Sequence, residues 1–557
     1  MVKSLYLVCA ALLAGTGVFA QAKETVPENW HQLDKTATGY YGISLDKAYD
    51  FIKTKKIKSK RVLVAVIDSG IDTTHEDLKS VLWINPKEIP GNGIDDDKNG
   101  YTDDIHGWNF LGGKDGRNVN KDSYEASRVY HAMKAKYGSL VPDESSVSTE
   151  EEKKEIEQYR KAQLEVMGGV DPTEIGLIKM ILPGFAKGDS VIKKDLKKDE
   201  YTCTDLEGYT PIDADAKRAK IFLMELCQGN GSNDISNKEI IGELEGKISK
   251  ADAADKAPEE YRKNIVKDNE SDINDRNYGN NDLMAGTSKH GTHCSGIIAA
   301  VRNNGKGGDG VADNVRIMML RAVPDGDEHD KDIALAIRYA VDNGAQIISM
   351  SFGKDFSPEK YWVDDAVRYA DKNGVLLVHA AGNDSKNIDT ADNFPTVNFI
   401  DGKRASNWIT VGASGDPKNG GVTARFSNYG KRDVDVFAPG VQIYATIPGG
   451  NTYGKLSGTS MACPVVAGTA ALLLEYFPTL SAKQLKYVIE KSATAPDIDV
   501  DLPGSETKEK VKLSEISKTG GLLNAYEAVK LASTIKGERK QKKEVLPKPK
   551  LVKSKKA

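Results

Sequence analysis

The stretch "RVLVAVIDSG", Arg61 to Gly70, decides the architecture. An apolar run rich in β-branched residues, with no polar alternation, reads as a strand buried on both faces, and Asp-Ser-Gly marks the loop that ends it. "VRIMMLRAV", "AQIISMSFG" and "GVLLVHAAGN" repeat the pattern. Between them, "DKDIALAIRYAVDNG" and "VDDAVRYADKNG" carry helical spacing and close on Asn-Gly, a helix stop. Strands alternating with helices predict an α/β fold, a doubly wound parallel sheet with helices on both faces. In such sheets reactive groups collect beyond the carboxyl ends of strands, where Asp68, Ser351 and Asn383 fall.

Outside this frame the texture changes. Residues 1–22, "MVKSLYLVCAALLAGTGVFAQA", have the layout of a signal peptide cut after Ala20 or Ala22, too short for a membrane anchor. Cys9 inside the apolar run leaves a lipid anchor as the alternative. No other stretch has spanning length, and a net charge of −4 points to no nucleic-acid partner. Residues 115–285 read as a charged, mainly helical insertion, in which Ser148 and Glu151 are spaced as a capping box. Residues 536–557 are Lys-rich, contain two prolines and read as a disordered, solvated tail. After export four cysteines remain: Cys203 and Cys227 are candidates to pair, while Cys294 and Cys463 read as buried thiols without zinc spacing.

The chemistry begins at "LSGTSMACPVVAG", Leu456 to Gly468. Ser460 ahead of a buried helix, with Pro464 close behind, is ordinary N-terminal chemistry; the same position favours developing negative charge. "VAVIDSGIDTTHEDL" around Asp68, "KHGTHCSGIIAAV" around His290 and "VLLVHAAGND" around Asn383 supply the rest of what amide hydrolysis needs: a carboxylate, a base and an oxyanion donor.

On these four segments, in the order Asp, His, Ser, the chain resembles the subtilisin-like serine proteases, the subtilase family. The resemblance spans roughly Trp30–Trp108 and Gly286–Lys530, making residues 23–114 and 286–535 two parts of one catalytic domain. It implies an exported endopeptidase acting on proteins or peptides through an acyl-enzyme. Asp68 would orient the imidazole, His290 serve as base and then acid, and Ser460 attack. Asn383 and the Ser460 N–H would hold the oxyanion, so that Asn383→Ala would cost about 10² to 10³ in turnover. His293, three residues on, reads as a core histidine. Substrate would pair with "SMSFG" by β-augmentation, and Ser351, Phe352, Gly353, Ala381 and Gly382 would line a first specificity pocket open to large apolar side chains. Cys294 matches a proteinase K-like variant, which implies mercurial sensitivity.

Asp95, Asp97, Asn99 and Gly100 fit the first six positions of a D-x-D-x-[DN]-G calcium loop, with Asp103 ninth and His106 where an EF-hand needs Glu. Structural calcium is the expectation. Asp77, with "NNGKGGDG", is a second candidate drawn from the family.

Two features depart from the family pattern. Asp68 and His290 stand 222 positions apart, so the insertion is an exosite, a lid or a partner-binding module. Little sequence remains for a propeptide before "NWHQLDKTATGYYGISLDKAYDF", so folding needs none or the insertion takes part of that role. The competing functions are a non-catalytic binding or adhesion protein on a protease fold, and a narrow processing protease directed by the insertion.

Overall fold

The computed structural model describes residues 26–168, 172–230 and 235–539; the expected signal peptide and the tail from 540 onward lie outside these. Ten strands organise the frame: β1 Val62–Asp68, β2 Gly107–Asn109, β3 Val315–Arg321, β4 Ile347–Met350, β5 Leu376–Ala380, β6 Trp408–Asp416, β7 Asn419–Thr423, β8 Val436–Pro439, β9 Ile443–Ile447 and β10 Thr452–Leu456. The first eight form one sheet in the order β2-β3-β1-β4-β5-β6-β7, with β8 also on β6. Its pairings are parallel except β6–β7. β9 and β10 make a separate antiparallel pair that leads into the Ser460 helix.

The register explains the unbroken apolar run. β1 pairs with β3 from Val62↔Val315 to Asp68↔Arg321 and with β4 from Val64↔Ile347 to Ile67↔Met350. Val62, Val64 and Val66 enter one core, Ala65 and Ile67 the other. Twelve helices serve the description, α1 to α12 in chain order. On the first face lie α1 (Leu45–Thr54), α7 (Lys289–Ala299), α10 (Thr459–Tyr476), α11 (Ala482–Ser492) and α12 (Ala525–Ala532). On the second lie α8 (Asp330–Asp342) and α9 (Lys360–Lys372). This is the doubly wound α/β fold expected. Among the described residues α10 alone is long and apolar enough to cross a membrane, and it is buried in the core.

The inserted segment leaves after β2 and returns at Asn280, which bridges Asn109. It contributes α2 (Glu125–Tyr137), α3 (Glu150–Gly168), α4 (Pro172–Leu196), α5 (Ala214–Asn230) and α6 (Asn237–Asp252). The last three close a core of their own, including Ile178, Phe185, Leu223 and Ile240, which the Cys203–Cys227 disulfide staples. The capping box of α3 is one residue later than expected. Thr149 Oγ1 accepts from Glu152 N at 3.1 Å and Glu152 Oε2 accepts from Thr149 N at 3.2 Å, because Thr-x-x-Glu satisfies the same spacing in the next register.

Candidate active site

β1 and β4 are neighbours whose connections leave to opposite sides, which opens a crevice beyond their carboxyl ends. Two helix N-termini point into it. α7 carries His290 as its second residue and α10 carries Ser460 as its second. α7 comes this close because residue 291 is glycine: a Cβ there would lie 2.1 Å from Gly70 O and 3.1 Å from Asp68 Cβ.

Asp68, 1% exposed, receives His290 Nδ1 at 2.8 Å and its neighbour's N–H, Ser69 N, at 2.7 Å, both on Oδ1. Burial opposes charge on the His290 imidazole, yet Asp68 outweighs it and holds the pKa well above the usual histidine value. The contact also leaves Nε2 as the nitrogen free for proton transfer. His293 is fully buried, bonds Gly454 O at 3.1 Å and is pushed down to about 3 by burial, consistent with a neutral core residue.

Pro464 shapes the surroundings of Ser460. Lacking an N–H, it cannot bond the carbonyl four residues back, so Ser460 O is left for Ser351 Oγ at 3.0 Å and Cys294 Sγ at 3.4 Å. Ser460 Oγ in turn donates to Ser351 O at 3.2 Å. Among the described residues it makes no hydrogen bond to His290, and catalytic bonds of this kind tighten with substrate present. Cys294 thus bridges the two helices, its Sγ 3.9 Å from His290 Nδ1. Cys463 lies deeper, its thiol pushed up to about 12 by burial.

The Asn383 carboxamide is held in place beside Ser460. Asn383 Oδ1 accepts from Thr459 N at 2.9 Å and Thr459 Oγ1 at 3.0 Å, which fixes the carboxamide and leaves Nδ2 as its donor on an exposed side chain. Thr459 Oγ1 also accepts Gly382 N at 3.1 Å. The Ser460 N–H, in the first turn of α10, has no acceptor among the described residues, so two donors flank the hydroxyl. Thr459 was invisible to motif reading because its work is to hold Asn383.

The five expected pocket residues come together unequally. Phe352 and Ala381 turn their side chains into buried cores, and the Ser351 hydroxyl is committed to Ser460 O. Gly353 and Gly382 remain as walls, with Asn393 between them: a Cβ on Gly353 would meet Asn393 Oδ1 at 2.6 Å and one on Gly382 at 3.1 Å. Asn428 ties this wall down through Ala381 O at 2.8 Å and Asp384 N at 3.0 Å. Neither asparagine belongs to a motif that would single it out.

The acidic loop departs from an EF-hand arrangement. Glu88, Asp95 and Asp97 bring carboxylate oxygens within 4.8 Å of one another. Asp103 instead ties a turn, accepting Gly91 N at 2.8 Å and Asn92 N at 3.2 Å on Oδ1 and Gly93 N at 2.8 Å on Oδ2. Asn99 bonds Asp104 and its own loop backbone. Glu88 was missed because it precedes the D-x-D run by a turn. Asp77 does meet the "NNGKGGDG" loop through Asn304, and Tyr453 OH donates to its other oxygen at 2.8 Å.

Residues 59–521 match the model of the Subtilase family. The chain is 43% identical over 203 residues to the thermophilic serine proteinase of Bacillus sp. (strain AK1), covering 36% of this chain and 45% of that protein. It is 38% identical to thermitase of Thermoactinomyces vulgaris, covering 43% and 74% of the two chains, and 38% identical to subtilisin DY of Bacillus licheniformis, covering 37% and 70%. The match to the first relative thus spans less than half of that relative's length. On the family match the chain belongs to the subtilases and is by family a serine-type endopeptidase.

Proposed function

We propose that the protein is an exported endopeptidase that cleaves polypeptides by acyl transfer to Ser460. The observation that carries this reading is the Asp68–His290 contact of 2.8 Å, set beside a hydroxyl at a helix N-terminus with two free oxyanion donors. Asp68 fixes the tautomer and stabilises the imidazolium. His290 Nε2 takes the Ser460 proton as Oγ attacks the scissile carbonyl, then returns it to the leaving amine. Asn383 Nδ2 and Ser460 N–H receive the oxyanion. Water then repeats the sequence on the acyl-enzyme. Extended substrate lies along Ser351–Gly353, with a side chain directed at the wall that Gly353, Asn393 and Gly382 form. The relatives' names as proteinases and the apolar leader at residues 1–22 support export and proteolysis.

Calcium fits the acidic loop. Glu88, Asp95 and Asp97 offer only hard oxygen donors; backbone N–H groups of the loop orient them, and among the described residues Lys87, 3.4 Å from Asp97, is the one cation paired with them, too little to neutralise three carboxylates. The ion would screen them and brace the loop, with no part in the chemistry.

Digestion of casein and of a peptide panel by the purified protein and by Ser460→Ala tests the reading. Cleavage by the first alone, with an initial burst on an activated ester, is expected. A folded wild-type protein that cleaves nothing overturns it.

A further inference from the structure

The three residues that follow Gly353 are each gripped by the insertion. Lys354, 5% exposed, donates from Nζ to Glu125 Oε2 at 2.7 Å and Glu328 O at 2.8 Å, and pairs with Asp330 at 3.0 Å. Its backbone exchanges two hydrogen bonds with Phe394, at 3.0 and 2.8 Å, next to the Asn393 that lies between the pocket glycines. The Asp355 carbonyl accepts Lys161 Nζ of α3 at 2.8 Å, and Lys161 also pairs with Asp392 at 2.6 Å. Phe356, 3% exposed, sits among Ala126, Val129, Tyr130, Tyr159, Ala162 and Val166 of α2 and α3, with Lys161 Nζ 4.5 Å from its ring centroid.

We propose that α2 and α3 are a wall of the substrate cleft: by seating Phe356 and fixing Lys354 through Glu125, they position the segment Ser351–Phe356 that follows β4 and so set which side chain precedes the cleaved bond. This rests on the proteolytic reading above. Phe356, Lys354 and Glu125 are positioning residues: their bonds and packing run to the insertion, to one another and to residues such as Glu328 and Asp330, and among the described residues none bonds Asp68, His290, Ser460 or Asn383. The argument is mechanical. The segment Ser351–Gly353, whose next three residues are a buried ion pair, a bonded carbonyl and a seated ring, cannot tilt without unpacking the insertion. Substrate affinity and selectivity respond to displacements on the order of 1 Å.

The test uses the full chain with Phe356→Ala, Phe356→Leu and Glu125→Gln, peptides differing only in the residue before the scissile bond (alanine, leucine, phenylalanine, lysine), and the rate of fluorophosphonate labelling. Phe356→Ala is expected to raise KM for the leucine and phenylalanine peptides about 10-fold and flatten their preference over alanine, with kcat and labelling within about 3-fold. Glu125→Gln shifts the preference in the same direction, and Phe356→Leu restores most of it. Unchanged preference with labelling intact overturns the proposal, as does labelling that falls in step with peptide hydrolysis. A wild-type protein that neither labels nor cleaves overturns the functional reading and this proposal with it, and needs no variant to be seen.

Discussion

The catalytic frame and the insertion are held by different forces. Asp68, His290 and Ser460 stand on elements locked by aliphatic packing, with α10 buried along nearly its whole length and strands in parallel register. The insertion has its own small core and docks through apolar contacts such as Phe356 between α2 and α3, but also through a dense set of buried charges. Arg262 bonds Asp332 at 2.6 and 2.7 Å and Asp268 at 2.9 Å, Lys331 reaches Asp268 at 2.6 Å, and His329 lies between Asp122 and Glu270. At the cleft, Lys289 beside His290 pairs with Glu200 and Glu239 at 2.9 and 3.1 Å. Apolar packing carries no proton to lose; buried ion pairs are costly to break and respond to protonation. The frame should therefore fail only when its chemistry is removed, and the insertion when its charges are.

Replacing Asp68 by Asn attacks the frame's chemistry without its packing. kcat is expected to fall about 10⁴-fold with little change in melting temperature, measured by steady-state kinetics and calorimetry. Activity of the wild type should rise with pH as His290 loses its proton, with a midpoint above 6.5, and Asp68→Asn should move that midpoint down because Asp68 is the charge that raises it. Asn383→Ala removes an exposed donor and should cost about 10² to 10³ in kcat, again with stability unchanged.

Arg262→Met strikes the other side of the comparison. It leaves Asp332 and Asp268 buried without their guanidinium, so unfolding in urea should show a loss of about 3–5 kcal/mol. If it costs nothing, the ion pairs are ornaments and packing holds the insertion too. The smallest effect is the pH dependence of docking. Burial, then like charge from Asp330, pushes Glu359 up to about 7, and burial pushes Glu328 up to about 8. Both are raised above an unfolded value near 4.5, so their contribution is fully present below that pH and is lost as pH rises through 7 and 8. Glu270 is held down to about 2, where burial opposes and His329 prevails, so its contribution is present above 4.5 and lost as pH falls toward 2. Melting temperature should decline between about pH 4.5 and 8, and less so in Glu359→Gln.

The same division separates what the sequence disclosed from what it hid. Asp68, His290, Asn383 and Ser460 each sit in a short segment whose strand or helix ending is written locally, so they were legible at once. Phe352 was not, because alternation past the end of β4 turns its ring into the core, where it meets His379 at 6.1 Å. The acidic loop was half legible: the D-x-D spacing was visible, but the turn that spends Asp103 on three amides and substitutes Glu88 depends on backbone geometry. The grip on the cleft was hidden altogether, since Glu125 and Lys354 are 229 positions apart and neither belongs to a motif.

The most direct measurement is fluorophosphonate labelling of the purified chain, with the modified residue located by peptide mass mapping, beside Ser460→Ala and with and without a calcium chelator. Modification of Ser460 alone, abolished in Ser460→Ala and slowed by chelation, is the predicted result. A folded wild-type chain that stays unlabelled, or carries the label on another residue, would contradict the account.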